Sequence, residues 1–260
     1  MPRFAANLSM MFTEVPFLER FGRAAAAGFE AVEFLFPYEF APEAIAAELS
    51  RHGLVQALFN LPPGDWGKGE RGIAALLGRE EEFRTGVEKA LAYAAATGCT
   101  TLHCMAGVVA DSADRSRHER AYVDNLRYAA RRCARAGITL VIEPINTRDI
   151  PGYFLNYQAQ ARQIIEKVGE PNLKLQLDLY HCQIMEGDLA RHIESYADII
   201  AHVQIAGVPE RHEPDVGEIN YPYLFDVLDR VGYSGWVGCE YRPKGRTEDG
   251  LGWFAPYRRR

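Results

Sequence analysis

The sequence predicts an α/β protein folded as a single closed (β/α)8 TIM barrel. One phrase recurs along the chain: an amphipathic helix, a glycine, then a short β-rich run. It is seen in AAAAGFEAVEF, SRHGLVQAL, ATGCTTLHCM, ARAGITLVIEP and VGYSGWVGCEY. Glycine suits the residue after a helix because it accepts a left-handed backbone without a Cβ clash. The β-rich runs are near-continuously apolar, as expected of parallel strands buried on both faces. They are spread evenly over 260 residues, and no GxGxxG follows the first, which favours a barrel over an open doubly wound sheet.

In order, the strands are expected at 3–8, 31–36, 55–60, 100–105, 138–143, 173–178, 200–205 and 235–240. Helices lie between them, with apolar stripes such as Phe83, Val87, Leu91 and Ala94, or Val123, Leu126, Ala130 and Cys133. Ser116 with Glu119 has capping-box spacing, and Asn156 is placed to cap the helix carrying Ala161, Ile164, Ile165 and Val168. No linker divides the chain, so residues 1–260 form one domain. The longest irregular stretch, 61–78 (LPPGDWGKGERGIAALLG), is expected to be a lid-like loop, and 244–260 a short C-terminal tail. The lid is not a phosphate-binding P-loop, since no Lys-Ser or Lys-Thr ends it.

Composition narrows the class. Hydrophobic residues make up 48% and charged residues 25%, which is ordinary globular usage. The five cysteines form no CxxC pair and several fall inside apolar runs, so buried free thiols and a reducing cytoplasmic setting are expected. No signal peptide or membrane-length apolar run is present, so no membrane partner is expected. A net charge of −6 argues against a nucleic-acid partner, and Arg258–Arg260 reads as a solvated tail.

The strongest chemical signal is a set of oxygen donors at the carboxyl ends of four consecutive strands. Glu143 ends LVIE, Asp178 ends KLQLD, Gln204 sits in AHVQIA and Glu240 ends WVGCE. A carboxylate in an apolar strand is costly unless paired or bound to metal. In a barrel these strand ends converge on one mouth, where barrel active sites sit. Three carboxylates and an amide suit Mg²⁺ or Mn²⁺; Zn²⁺ and Co²⁺ stay open. His181, three residues after Asp178, is expected beside that site. Arg211 and His212, in the loop after strand 7, are candidates to hold a substrate carboxylate, with a loop salt bridge to Glu210 or Glu213 as the alternative. His202 reads as a core histidine, His103 as core or pocket, and His52, His118 and His192 as structural or solvent-facing. No GxSxG elbow or recognisable cysteine nucleophile supports covalent catalysis.

At these residues the sequence resembles the hydroxypyruvate isomerase family of xylose-isomerase-like barrels. The likeness runs from RFAANLSMMF through EFLFPY, PPGDWGKGERGIA, GREEEFR, IEPINTRDIPGYFL and HVQIAGVPERHEPDVGEINYPYLF to GWVGCEYRP and EDGLGW. It implies a metal held by Glu143, Asp178, Gln204 and Glu240, with Glu143 and Glu240 as the catalytic acid–base pair. The implied reaction interconverts hydroxypyruvate and 2-hydroxy-3-oxopropanoate by proton transfer through a cis-enediolate. Close relatives act on 2-oxo-tetronate instead, and EPINTRDIPGYFL tips the expectation to the three-carbon acid. A sugar epimerase or dehydratase, a zinc-cluster endonuclease and a non-catalytic sugar-acid binder are the rival readings. Leu251, Trp253 and Phe254 could form an oligomer interface or fold back over the pocket.

Overall fold

A computed structural model describes residues 1–110 and 112–258. Eight parallel strands run β1 (Arg3–Asn7), β2 (Ala31–Phe34), β3 (Val55–Asn60), β4 (Thr101–His103), β5 (Thr139–Ile142), β6 (Leu173–Asp178), β7 (Ile200–Ile205) and β8 (Trp236–Cys239). Each pairs with the next, and β8 returns to β1, so the barrel is closed. Every expected strand coincides with an observed one; β3, β6 and β7 keep the expected bounds, and the other five are shorter by a residue or two at one or both ends. Alternating α1 (Phe17–Ala26), α2 (Pro42–His52), α3 (Glu80–Thr97), α4 (Arg115–Arg135), α5 (Gln158–Val168), α6 (Leu179–Met185), α7 (Leu189–Tyr196) and α8 (Tyr221–Arg230) surround it.

Local chemistry sets the helix ends. In α2, Pro42 stands in the first turn, where its missing N–H costs nothing, and Gly53 closes the helix at a φ of 63°. The α4 cap differs from the expected Ser116–Glu119 box. Asp114 starts the helix, its carboxylate accepting from the backbone N–H groups of Ser116 and Arg117. Asn156 likewise does not cap α5; its amide donates to the Ile145 carbonyl, and Tyr157 takes the cap position without a side-chain bond.

The main apolar core lies between strands and helices. Phe17, Phe21 and Phe34 meet edge-to-face there, with Phe17 and Phe21 5.5 Å apart. Burying a side chain of this size contributes about 1.5–3 kcal/mol. Ala5, Ala31 and Ala57 form a small separate cluster against Trp236. Above it the interior turns polar. Glu33 is fully buried and accepts from Gln204 Nε2 at 2.7 Å and Asn7 Nδ2 at 3.0 Å, with His202 Nε2 also 2.7 Å away. His202 is thus the satisfied core histidine that its position suggested.

The segment Thr247–Tyr257 is a 3-10 helix that fills the eighth helical position. Its Trp253 and Phe254 pack edge-to-face on Phe4, and Phe254 stacks on Phe29 at 4.3 Å. Leu251, Trp253 and Phe254 are therefore barrel wall, neither a cover for the pocket nor an exposed interface. The Arg258 guanidinium sits 5.5 Å from the Phe254 ring centroid, whereas residues 259–260 of the expected tail lie outside the described residues. All five cysteines are buried and free, and among the described residues no helix is long and apolar enough to cross a membrane.

Candidate active site

Glu143 follows β5, Asp178 ends β6 and Glu240 follows β8, so the barrel's closure brings all three to one mouth. His181, on the first turn of α6, joins them, and one ligand atom from each of these four lies within 4.8 Å of the others. All four are at most 5% exposed. Gln204 pairs in register with Asp178, but its side chain is engaged elsewhere. Its Oε1 accepts from Gln176 Nε2 at 2.6 Å while its Nε2 donates to Glu33. The second lone pair of that oxygen is left for an ion.

Arg211 is buried among the carboxylates, on a backbone with a φ of 57° that side-chain-bearing residues rarely adopt. The turn is held by two backbone bonds, Arg211 N–H to the Gly207 carbonyl and Arg242 N–H to the Arg211 carbonyl. Its guanidinium donates to Glu240 Oε2 at 2.5 Å and Asp149 Oδ2 at 3.1 Å, and stands 3.6 Å from Asp178 Oδ2. The expected alternative partners, Glu210 and Glu213, are not its ion pairs. His212, expected to share the pocket, is instead placed outside the cavity lining, with Nδ1 2.8 Å from the Arg242 carbonyl.

Asn146 fixes His181. Its Oδ1 accepts from the Asp149 backbone N–H at 2.7 Å, so its amide nitrogen faces His181 Nδ1, 2.6 Å away. Nδ1 is then the acceptor and Nε2 carries the hydrogen. That Nε2 lies 3.6 Å from Asp178 Oδ2 and 3.8 Å from Glu143 Oε1. On the other side, His103 Nδ1 is 3.2 Å from Asn60 Oδ1, and its Nε2 lies 3.5 Å from Glu143 Oε2. His103 therefore belongs to the pocket.

Burial dominates the electrostatics. It pushes Asp178 up to about 6 and Glu240 up to about 8, in spite of Arg211. Glu143 is raised well above the carboxylate range by burial and by the charges of Glu240 and Asp178. Burial lowers His103 to about 3 and takes His181 well below its usual value, with Arg211 adding to the effect on His181. Burial also opposes the charge on Arg211, but the carboxylates around it more than offset that.

Glu143 Oε1 and Asp178 Oδ2 are buried oxygens without a hydrogen-bond donor among the described residues. A hard divalent cation satisfies such oxygens, and the donor chemistry fits it. Glu143, Asp178 and Glu240 offer carboxylates, and Gln204 an amide oxygen; His181, with its hydrogen on Nε2, stands beside them as a hydrogen-bond donor.

The cluster opens into a cavity of about 200 Å³, also lined by Trp66, Arg71 and Arg242. One wall is the 61–79 loop. It is pinned by a bridge between Gly72 and Ala106, by Arg79 on both Glu70 oxygens, and by Trp66 against Phe36. Gly72 has a φ of 99°, and a Cβ there would come 2.3 Å from the Met105 carbonyl oxygen. Sequence reasoning did not single out Asn146, Asp149, Asn60 or Arg71. The first two lie in the EPINTRD motif, which was the only signal for them.

Comparison with known proteins agrees with this architecture. A 2-oxo-tetronate isomerase of Cupriavidus necator is 59% identical over 257 residues, covering 99% of both chains. A hydroxypyruvate isomerase of Escherichia coli is 50% identical, covering 99% of this chain and all of its own. A crystal structure from Brucella melitensis, described as an AP endonuclease of family 2, is 60% identical with a TM-score of 0.98 over the full length of both. The family model of the xylose isomerase-like TIM barrel matches residues 21–257, and this chain belongs to that family, as an isomerase.

Proposed function

We propose that the protein moves a carbonyl between adjacent carbons of a short hydroxy-oxo acid, by proton transfer through a cis-enediolate. The observation that carries this reading is the pair Glu143 and Glu240. Both are buried at the cavity end, where burial raises each carboxyl above the usual carboxylate range, as suits groups that exchange protons with a bound substrate. One takes the proton from the hydroxyl-bearing carbon; the other handles the neighbouring carbon. The ring Nε2 atoms of His103 and His181 flank Glu143 at 3.5 and 3.8 Å.

Glu143, Asp178, Gln204 and Glu240 are the residues we assign to a divalent ion, Mg²⁺ or Mn²⁺. Such an ion supplies Lewis-acid stabilisation of the negative charge on the enediolate. The protein's own part is to place the carboxylates, exclude water and hold the protons.

The relatives divide between two substrates, and the greater identity lies with the four-carbon one. This moves our preferred substrate to 2-oxo-tetronate, with hydroxypyruvate second, against the three-carbon preference drawn from EPINTRDIPGYFL. The endonuclease description of the Brucella structure has less chemical support here. Backbone cleavage needs a cationic face for nucleic acid, whereas this chain carries a net charge of −6 and its cluster opens into a cavity of only about 200 Å³.

The test is turnover of each oxo acid by protein loaded with Mg²⁺ or Mn²⁺, followed by proton NMR in D₂O. Isomerisation that stops on chelation and in Glu240→Gln supports the reading. No exchange or conversion of either acid by loaded protein overturns it.

A further inference from the structure

An oxo acid is an anion, and the cavity it must enter presents Glu143, Asp149 and Glu240. Binding therefore needs a cation that these carboxylates have not already claimed. Arg211 is not that cation, because Glu240 and Asp149 hold its guanidinium and Asp178 stands beside it. His212 faces away, toward the Arg242 carbonyl.

Arg242 also lines the cavity, but its side chain is exposed and no hydrogen bond among the described residues holds its guanidinium in place. Arg71 differs from all three. It lines the cavity from the 61–79 loop, and no carboxylate among the described residues forms an ion pair with it. Its partners are neutral. One terminal nitrogen donates to the carbonyls of Glu70 at 2.8 Å and Trp66 at 3.2 Å, and the guanidinium lies 3.8 Å over the Trp66 ring. The nearest acid in sequence, Glu70, is occupied by Arg79 and by the Asp65 backbone N–H. The Nε and the second terminal nitrogen form no hydrogen bond among the described residues, and this is the edge that meets a carboxylate bidentately.

Resting on the oxo-acid reading of the same site, we propose that Arg71 is the anchor for the substrate carboxylate and the residue that selects acids over uncharged sugars. The Trp66 stack and the two carbonyls hold the guanidinium ready, so little ordering is left for binding to impose. Because the anchor stands on the loop, substrate binding also fastens that loop over the cavity.

The experiment is calorimetric binding of D-glycerate, an unreactive anion, and of uncharged dihydroxyacetone to metal-loaded wild type, Arg71→Gln and Arg71→Lys. Thermal melting reports folding of each variant. Loss of a charge-assisted bidentate contact corresponds to roughly a 10- to 100-fold weaker glycerate affinity. We expect that loss in Arg71→Gln, partial recovery in Arg71→Lys, unchanged dihydroxyacetone binding, and a rise in KM that exceeds any fall in kcat. Equal losses for both ligands, no loss for glycerate, or no glycerate binding by wild type overturn the assignment. If the glycerate pattern holds while neither oxo acid is turned over, Arg71 stands as an anion anchor and the isomerase substrate reading falls alone.

Discussion

The Arg211 guanidinium and the Glu240 carboxylate form a buried ion pair, 2.5 Å apart, where two further carboxylates converge. One arginine thus serves as counter-cation to a cluster whose donors suit a divalent ion. Cutting one member from such a buried network costs about 3–5 kcal/mol. Arg211→Met is expected to lower the melting temperature of metal-free protein strongly and that of metal-saturated protein much less. Calorimetric melting with and without Mn²⁺ checks this; equal losses in both states refute it.

Stability of the metal-free protein should fall as pH rises. Glu240 keeps its proton up to about 8 in the fold against 4.5 unfolded, and Asp178 up to about 6 against 3.8. Between those values the folded state binds more protons than the unfolded one, so these groups stabilise fully below their unfolded pKa and lose that effect as pH climbs through the folded one. Melting temperatures of apoprotein from pH 5 to 8.5 should decline, less steeply in Glu240→Gln. A flat or rising profile counts against the burial argument.

Metal binding at pH 7 should release protons, because Glu240 is largely protonated there without an ion. Titration with Mn²⁺ in buffers of different ionisation enthalpy measures the number. We expect more than one per ion, because Glu143 is raised as well, and fewer in Glu240→Gln.

Glu143→Gln and Glu240→Gln are each expected to reduce turnover by about 10³-fold or more while leaving the fold intact. Asn146→Ala removes the donor that fixes the His181 tautomer. Changes of this kind in groups orienting a ligand typically cost about 10- to 100-fold in metal affinity or activity. Metal titrations and steady-state kinetics of the three variants separate these roles.

Gly72→Ala forces a side chain onto a backbone of φ 99° and into the Met105 carbonyl. The strain, about 1–3 kcal/mol or more, should appear as a raised KM and faster proteolysis within 61–79. An unchanged KM would separate that loop from substrate binding.

The barrel was legible because its periodicity is. Each strand is an apolar run closed by glycine punctuation, and a carboxylate such as Asp178 at the end of KLQLD stands out against that background. What lay in loops was harder to read. Arg71 and Asn146 owe their places to turn geometry and to partners far along the chain, neither of which leaves a periodic trace. The strand pattern put Gln204 at the mouth but could not show its oxygen turned toward Gln176. His212 shared a loop with Arg211, yet the turn at Arg211 sends the two side chains to different neighbours. Ser116 had capping-box spacing, but Asp114 reached the free N–H groups first.

The pairing of β1 with β8, and of Phe4 with Trp253 and Phe254, has a consequence for biosynthesis. These contacts join the two far ends of the described chain, so they carry a large loop-closure entropy and form late. While the ribosome is still making the second half, β1 has only β2 beside it, and its other edge is open to stray strands. Residues 236–257 act as a latch that shuts this edge.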